Sequence, residues 1–171
     1  MKIVKIYFFI IIFFSLNLNY AIGEEKLAFI NLDKILKNTD YGKASLKKIE
    51  DINNQNILLL KNKESDLKKD EDSLNKKKNI LSEEEFQKEL DLLRNKINNY
   101  RNLKNQLVKD FDNKRSLILN DFFSNINPII QKYMNKNSIE ILLEQKNVFI
   151  GKNSSDITNI VIEEINKKKF E

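Results

Sequence analysis

Residues 76–85 read Lys76-Lys77-Lys78-Asn79-Ile80-Leu81-Ser82-Glu83-Glu84-Glu85, and this run decides the fold. Three consecutive cations suit the C-terminal end of a helix, where the backbone dipole favours positive charge. Ser82 followed by Glu85 is a capping box. The hydroxyl accepts a first-turn N–H and the carboxylate reaches back to the Ser82 N–H. One helix therefore ends near Asn79 and the next begins at Ser82. Around this point, Lys43 to Asn127 runs 85 residues with no Gly and no Pro and is rich in Lys, Glu, Leu, Asn and Asp, a composition that favours helix. A single rod of that length would reach roughly 125 Å. The reversal at 79–82 folds it into a long antiparallel hairpin instead.

The two arms carry unequal apolar seams. In the returning arm Phe86, Leu90, Leu93, Ile97, Tyr100, Leu107, Phe111 and Ile118 follow steps of three and four, with Lys104 and Lys114 intruding, which is a coiled-coil pattern. In the outgoing arm Leu46, Leu60, Leu67, Leu74 and Leu81 keep a seven-residue spacing, with Asn53 in register. Its companion seam starts at Ile49 but continues as Asn56, Lys63, Asp70 and Lys77. So little apolar burial predicts a weakly stitched arm whose distal half flexes.

The chain ends are different. Leu27-Ala28-Phe29-Ile30-Asn31 is suited to a buried strand. Leu117-Ile118-Leu119, Phe122, Phe123, Ile126, Ile129 and Ile130 are more than one hairpin seam buries, so another surface must cover them. Pro128 predicts a kink rather than a stop, because the apolar pattern continues to Tyr133 and Met134. Ile139, Ile141 and Leu143 alternate as a strand does, and Val148-Phe149-Ile150-Gly151 after Gln145-Lys146-Asn147 predicts a β-hairpin. Asp156 is expected to cap a final helix with Ile157, Ile160, Val161 and Ile165 on one face. So few strands are not stable alone. They are expected to join into a small body whose edges and apolar faces meet other copies of the chain, through Leu27, Phe29, Ile30, Ile139, Ile141, Leu143, Val148 and Ile150. The fold class is mostly α with a small β component.

At the N-terminus Lys2 and Lys5 precede the uncharged apolar run Ile6 to Phe14, and Ser15, Asn17 and Asn19 interrupt it before Ala21-Ile22-Gly23. This reads as a cleaved export signal over 1–23, with the mature chain starting near Glu24. Residues 24–42 then hold the first strand and the start of the first helix, 43–127 the hairpin, and 128–171 the helix end, β-hairpin and closing helix. Lys+Arg number 30 against 25 Asp+Glu, for a net +5. Losing Lys2 and Lys5 leaves 28 against 25, a net +3. With the signs interspersed, no specific nucleic-acid surface is indicated. Cys and His are both absent, which removes thiol chemistry, the usual neutral-pH base and the usual transition-metal ligands. No enzyme, cofactor or metal site is expected, and the acidic runs Asp70-Glu71-Asp72 and Glu83-Glu84-Glu85 read as solvated helix faces.

The ends of the chain resemble the Skp/OmpH family of periplasmic chaperones. Leu27-Ala28-Phe29-Ile30-Asn31, Asp33-Lys34-Ile35-Leu36 and Gly42-Lys43-Ala44 look like the family's opening strand and first helix. Asp156-Ile157-Thr158, Val161-Ile162 and Ile165-Asn166 look like its closing helix. Where the family has an aromatic followed by Ala after the last strand, this chain has Ile150-Gly151. The resemblance implies a homotrimer whose strands form a central body, with helical hairpins projecting around a cavity. It implies an ATP-independent holdase that encloses unfolded outer-membrane β-barrel proteins in the periplasm. A mildly basic chain is expected to favour anionic lipid surfaces, and the resemblance implies lipopolysaccharide as a further possible partner. The alternative function is a structural coiled-coil adaptor or spacer of the cell envelope, which is expected to carry lipoyl-like or barrel domains beside the hairpin.

Overall fold

The computed structural model describes residues 26–170, so the export signal expected over 1–23 lies outside the described residues. In chain order come β1 (Lys26–Ile30), α1 (Leu32–Asn38), α2 (Asp40–Lys77), α3 (Glu83–Lys136), β2 (Ile139–Glu144) and α4 (Thr158–Asn166). Short 3-10 turns lie at Gln145–Asn147 and Asn153–Ser155. Helices α2 and α3 are the two arms. Among the described residues no helix is long and apolar enough to cross a membrane.

The reversal falls where the sequence puts it. Helix α2 ends at Lys77, and Ser82 caps α3 with both halves of the capping box formed. The Ser82 hydroxyl accepts the Glu85 N–H at 3.4 Å, and Glu85 Oε2 accepts the Ser82 N–H at 3.1 Å. The Ser82 hydroxyl also donates to Glu85 Oε2 at 2.7 Å, and this bond first, then the one from the Ser82 N–H, holds the Glu85 carboxyl below its ordinary pKa, as expected for a carboxylate that accepts hydrogen bonds in its charged form. Ser82→Ala is therefore expected to cost about 1 kcal/mol, localised to the tip, and hydrogen exchange at the first turn of α3 checks it.

At the other end the apolar surplus finds its cover within the chain. Phe122, Ile126 and Ile130 recur every four residues along α3, so they share one face, and all are buried. Ile157, Val161 and Ile165 do the same at α4. The two stripes close on Ala28, Ile30, Ile35 and Ile139 to form the core. Each such side chain contributes about 1.5–3 kcal/mol by leaving water. Helix α3 continues through Pro128 to Lys136, as the unbroken apolar pattern requires. Ser138, with φ 53°, then turns the chain into β2.

The sheet departs from expectation. β1 and β2 pair in parallel, and they are the only strands among the described residues. Val148–Ile150 forms no strand, so the expected β-hairpin is absent. After the turn at Gln145–Asn147 the chain crosses the outer face of the sheet, where Gly151 sits against the Phe29 ring. An added Cβ at Gly151 would lie 2.8 Å from Phe29 Cε1, so any side chain there would require the Phe29 ring to shift. The strict alternation expected of β2 is also broken. A register shift pairs Lys26 with Ile139 and Leu27 with Ile141, so Ile139 and Leu142 face the core while Ile141 and Leu143 face outward.

Candidate oligomerisation and client-binding surfaces

The base of the hairpin is fixed by a joint that the sequence reading passed over. Thr39 is fully buried between α1 and α2. Its hydroxyl donates to the Ile35 carbonyl at 2.9 Å and accepts the Gly42 N–H at 3.1 Å, ending one helix and starting the next. The Asp40 N–H donates to Asn166 Oδ1 at 2.9 Å, which ties this joint to the end of α4. Tyr41 donates to Asp121 Oδ2 at 2.6 Å, accepts from Asn125 at 3.0 Å and stacks on Phe170. Burial first, and then the Asp121 carboxylate, push its phenol above the ordinary value. The signal in the sequence was Thr39-Asp40, a helix cap whose Thr stands three residues before a Gly.

The closing-helix motif works through hydrogen bonds as well as packing. Ile157, not Asp156, holds the cap position of α4. Asp156 stands one residue outside, and its Oδ1 accepts both the Thr158 N–H and the Thr158 hydroxyl. Thr158 Oγ1 in turn accepts the Asn31 N–H at 2.9 Å, and the Ile157 N–H donates to the Phe29 carbonyl at 3.1 Å. The motif thereby locks α4 to β1 and covers the outer edge of that strand.

The residues assigned to an oligomerisation body divide into two groups. Ile30 and Ile139 lie in the subunit's own core, and Phe29 is buried beneath the 148–151 crossing. Leu27, Ile141 and Leu143 face outward and are 51%, 46% and 42% exposed. Val148 is half-buried. Phe149 and Ile150 stand out in solvent at 102% and 86%. Among the described residues β2 has no partner on its second edge. An apolar face and an open strand edge therefore adjoin, and β2 carries no Lys or Pro to blunt that edge.

Along the arms the assigned seam is all at least half-buried: Leu46, Ile49, Leu60, Leu67, Leu74 and Leu81 face Phe86, Leu90, Leu93, Ile97, Tyr100, Leu107 and Phe111. Only Leu74 and Leu93, near the tip, are buried outright. Two polar seam positions are joined by charge, Asp70 to Lys96 at 2.6 Å and Lys77 to Glu89 at 2.9 Å. The partners are seven residues apart on each arm and run in opposite order, a sign of antiparallel register that the sequence already contained. Exposed pairs of this kind contribute about 0.2–1 kcal/mol each.

The thin part of the hairpin is thus its middle and not its distal half. Residues 46–73 and 94–121 contain no buried side chain. A groove of about 410 Å³ lies there along the two arms, with Leu67, Tyr100 and Leu103 in its lining. Ile57, Leu58 and Val108, set at the same height by that register, are 55%, 59% and 55% exposed. Leu92 and Leu117 are more than half exposed as well. The acidic runs are engaged structurally, Asp70 with Lys96, Glu84 with Lys88 and Glu85 in the cap.

Comparison with known proteins agrees with this geometry. A sequence model described as outer membrane protein (OmpH-like) matches residues 26–165, from the first residue of β1 to the buried Ile165. The crystal structure of a candidate outer membrane chaperone (OmpH-like) from Caulobacter crescentus CB15 superposes with a TM-score of 0.75. The two chains are 20% identical, and the match covers 82% of this chain and 83% of that one. At that identity the likeness is one of fold. No curated protein matches the chain.

Proposed function

Because the chain belongs to the OmpH-like outer membrane protein family, we propose that it is an ATP-independent holdase of the periplasm. Copies of the chain join through the body, and the hairpins enclose unfolded outer-membrane β-barrel proteins until they reach the outer membrane. The observation that carries this reading is the middle of the hairpin. None of its side chains is buried outright, yet it exposes Ile57, Leu58 and Val108 on an otherwise polar surface. A helix pair selected only as a spacer gains nothing from apolar groups in water, whereas a clamp for apolar chains needs them. Contacts of this size are individually weak, so retention comes from many at once and release requires no energy source.

The oligomer rests on the body. Leu27, Ile141 and Leu143 beside the open edge of β2 form a surface that a second copy covers, and Phe149 and Ile150 reach from the 148–151 crossing toward the same neighbour. Three copies are proposed, the number that the family resemblance implies. Residues 1–23 act as the export signal. The outgoing arm is taken to start at Asp40 and the returning arm to extend to Lys136, the limits of the two helices.

The test is dilution of a urea-unfolded outer-membrane β-barrel into buffer with and without the protein, followed by light scattering. Suppression of aggregation at stoichiometric oligomer without nucleotide is the expected result. Undiminished aggregation at molar excess would sink the proposal.

A further inference from the structure

The segment between β2 and α4 combines two features that occur apart elsewhere in the described chain. Short 3-10 turns at Gln145–Asn147 and Asn153–Ser155 hold its ends, and Gly151 rests against the Phe29 ring. Between these holds the chain bends outward at Phe149 and Ile150, the two most exposed large apolar side chains among the described residues. The N–H and carbonyl groups of residues 149–151 make no backbone hydrogen bond among the described residues. We propose that the Phe149–Ile150 peptide bond is a cleavage site for an endopeptidase with an apolar specificity pocket. The site is open in the single chain and closed in the assembly, so chains left without partners are removed.

A protease draws its substrate into an extended course, with backbone bonds along it and a pocket for a side chain. Most other exposed apolar groups of this chain meet that demand only after local unfolding. Ile57, Leu58, Leu92, Val108 and Leu117 lie inside α2 and α3. At the tip, the Ile80 N–H donates to the Lys77 carbonyl at 2.9 Å. Leu27 is paired within the sheet. At 149–151 no backbone bond has to break, and the chain is already extended at Val148 on one side and Lys152 on the other. Hydrolysis adds water across the bond and leaves a carboxylate on Phe149 and an amine on Ile150. It also severs the covalent link to α4, whose Val161 and Ile165 belong to the core. The closed state rests on the assembly proposed above, in which the neighbour that covers Ile141 and Leu143 also covers Phe149 and Ile150. An apolar loop tip that is safe under a neighbour and exposed without one reports whether assembly has occurred.

Chymotrypsin, whose pocket takes apolar side chains, is the probe. The purified protein is digested under native conditions, mass spectrometry locates the first cut between β1 and α4, and light scattering on the same samples reads the mass. Single chains are obtained by dilution or as Ile141→Lys/Leu143→Lys. In them the first cut is expected after Phe149, about tenfold or more faster than in the assembly. Phe149→Ser added to the dissociated variant is expected to slow cleavage about tenfold, with circular dichroism unchanged because Phe149 stands in solvent. In cells the dissociated variant is expected at a level roughly threefold or more below the unchanged protein, and Phe149→Ser is expected to restore it. A first cut elsewhere, or no recovery of the level, would overturn the proposal. An assembled mass with an equally fast cut would overturn it and leave the assembly standing. A single-chain mass at every concentration would contradict the assembly itself, and the closed state with it.

Discussion

Gly42→Ala is expected to destabilise the protein by about 3 kcal/mol, opposite in sign to the effect that helix propensity alone gives. In an ordinary helix position the exchange stabilises by roughly 0.5–1 kcal/mol. Gly42 lies in the first turn of α2, and an added Cβ would come within 2.0 Å of the Leu36 carbonyl oxygen and 2.7 Å of its carbon. Both are backbone atoms, so no side-chain rotation relieves the clash. Thr39 Oγ1, also at 2.7 Å, is held in place by its own bonds to Ile35 and Gly42. Relief requires α1 to move off α2, which disturbs the Asp40 to Asn166 bond and with it the seat of α4. Chemical unfolding of both proteins at one matched concentration checks this, because the proposed subunit association would add to apparent stability. A change below about 0.5 kcal/mol would show that the joint yields.

Ile141→Lys combined with Leu143→Lys is expected to separate the assembly into single chains while leaving each chain folded. Both side chains already face solvent in the isolated subunit, so the core beneath them is untouched. In the proposed assembly the same positions lie under a neighbour, and a buried unpaired ammonium is costly. Two such groups raise the dissociation constant roughly a hundredfold or more. Light scattering reads the mass and circular dichroism the fold. Loss of aggregation suppression is expected to accompany dissociation, because a lone hairpin encloses nothing. An unchanged mass would place the contact elsewhere on the body.

The hairpin was legible because its signals are local. Ser82 and Glu85 define the turn within four residues, and a heptad spacing states which side of each arm faces the other. The core was legible for the same reason, through four-residue stripes at Phe122 and Ile157. What escaped depends on contacts distant in sequence. The parallel pairing of β1 with β2 joins residues more than a hundred positions apart. Val148-Phe149-Ile150 has strand composition, yet it passes over the Phe29 ring, with Gly151 against it, and finds no strand to pair with among the described residues. The break in the alternation of Ile139, Ile141 and Leu143 follows from a register shift that composition does not encode. On the arms the ion pairs were visible as charges but became partners only once the register was known. The exposed Ile57, Leu58 and Val108 were passed over because they lie outside the seam.

The most direct test is the solution mass of the purified protein, followed by light scattering across a wide range of concentrations. One chain is 20.3 kDa with its N-terminal segment, and a mass about three times that of the processed chain is expected, falling on dilution only if association is weak. A single-chain mass at every concentration would mean that the outward face of β2 and its open edge rest uncovered in water, and the clamp built upon them would have no frame.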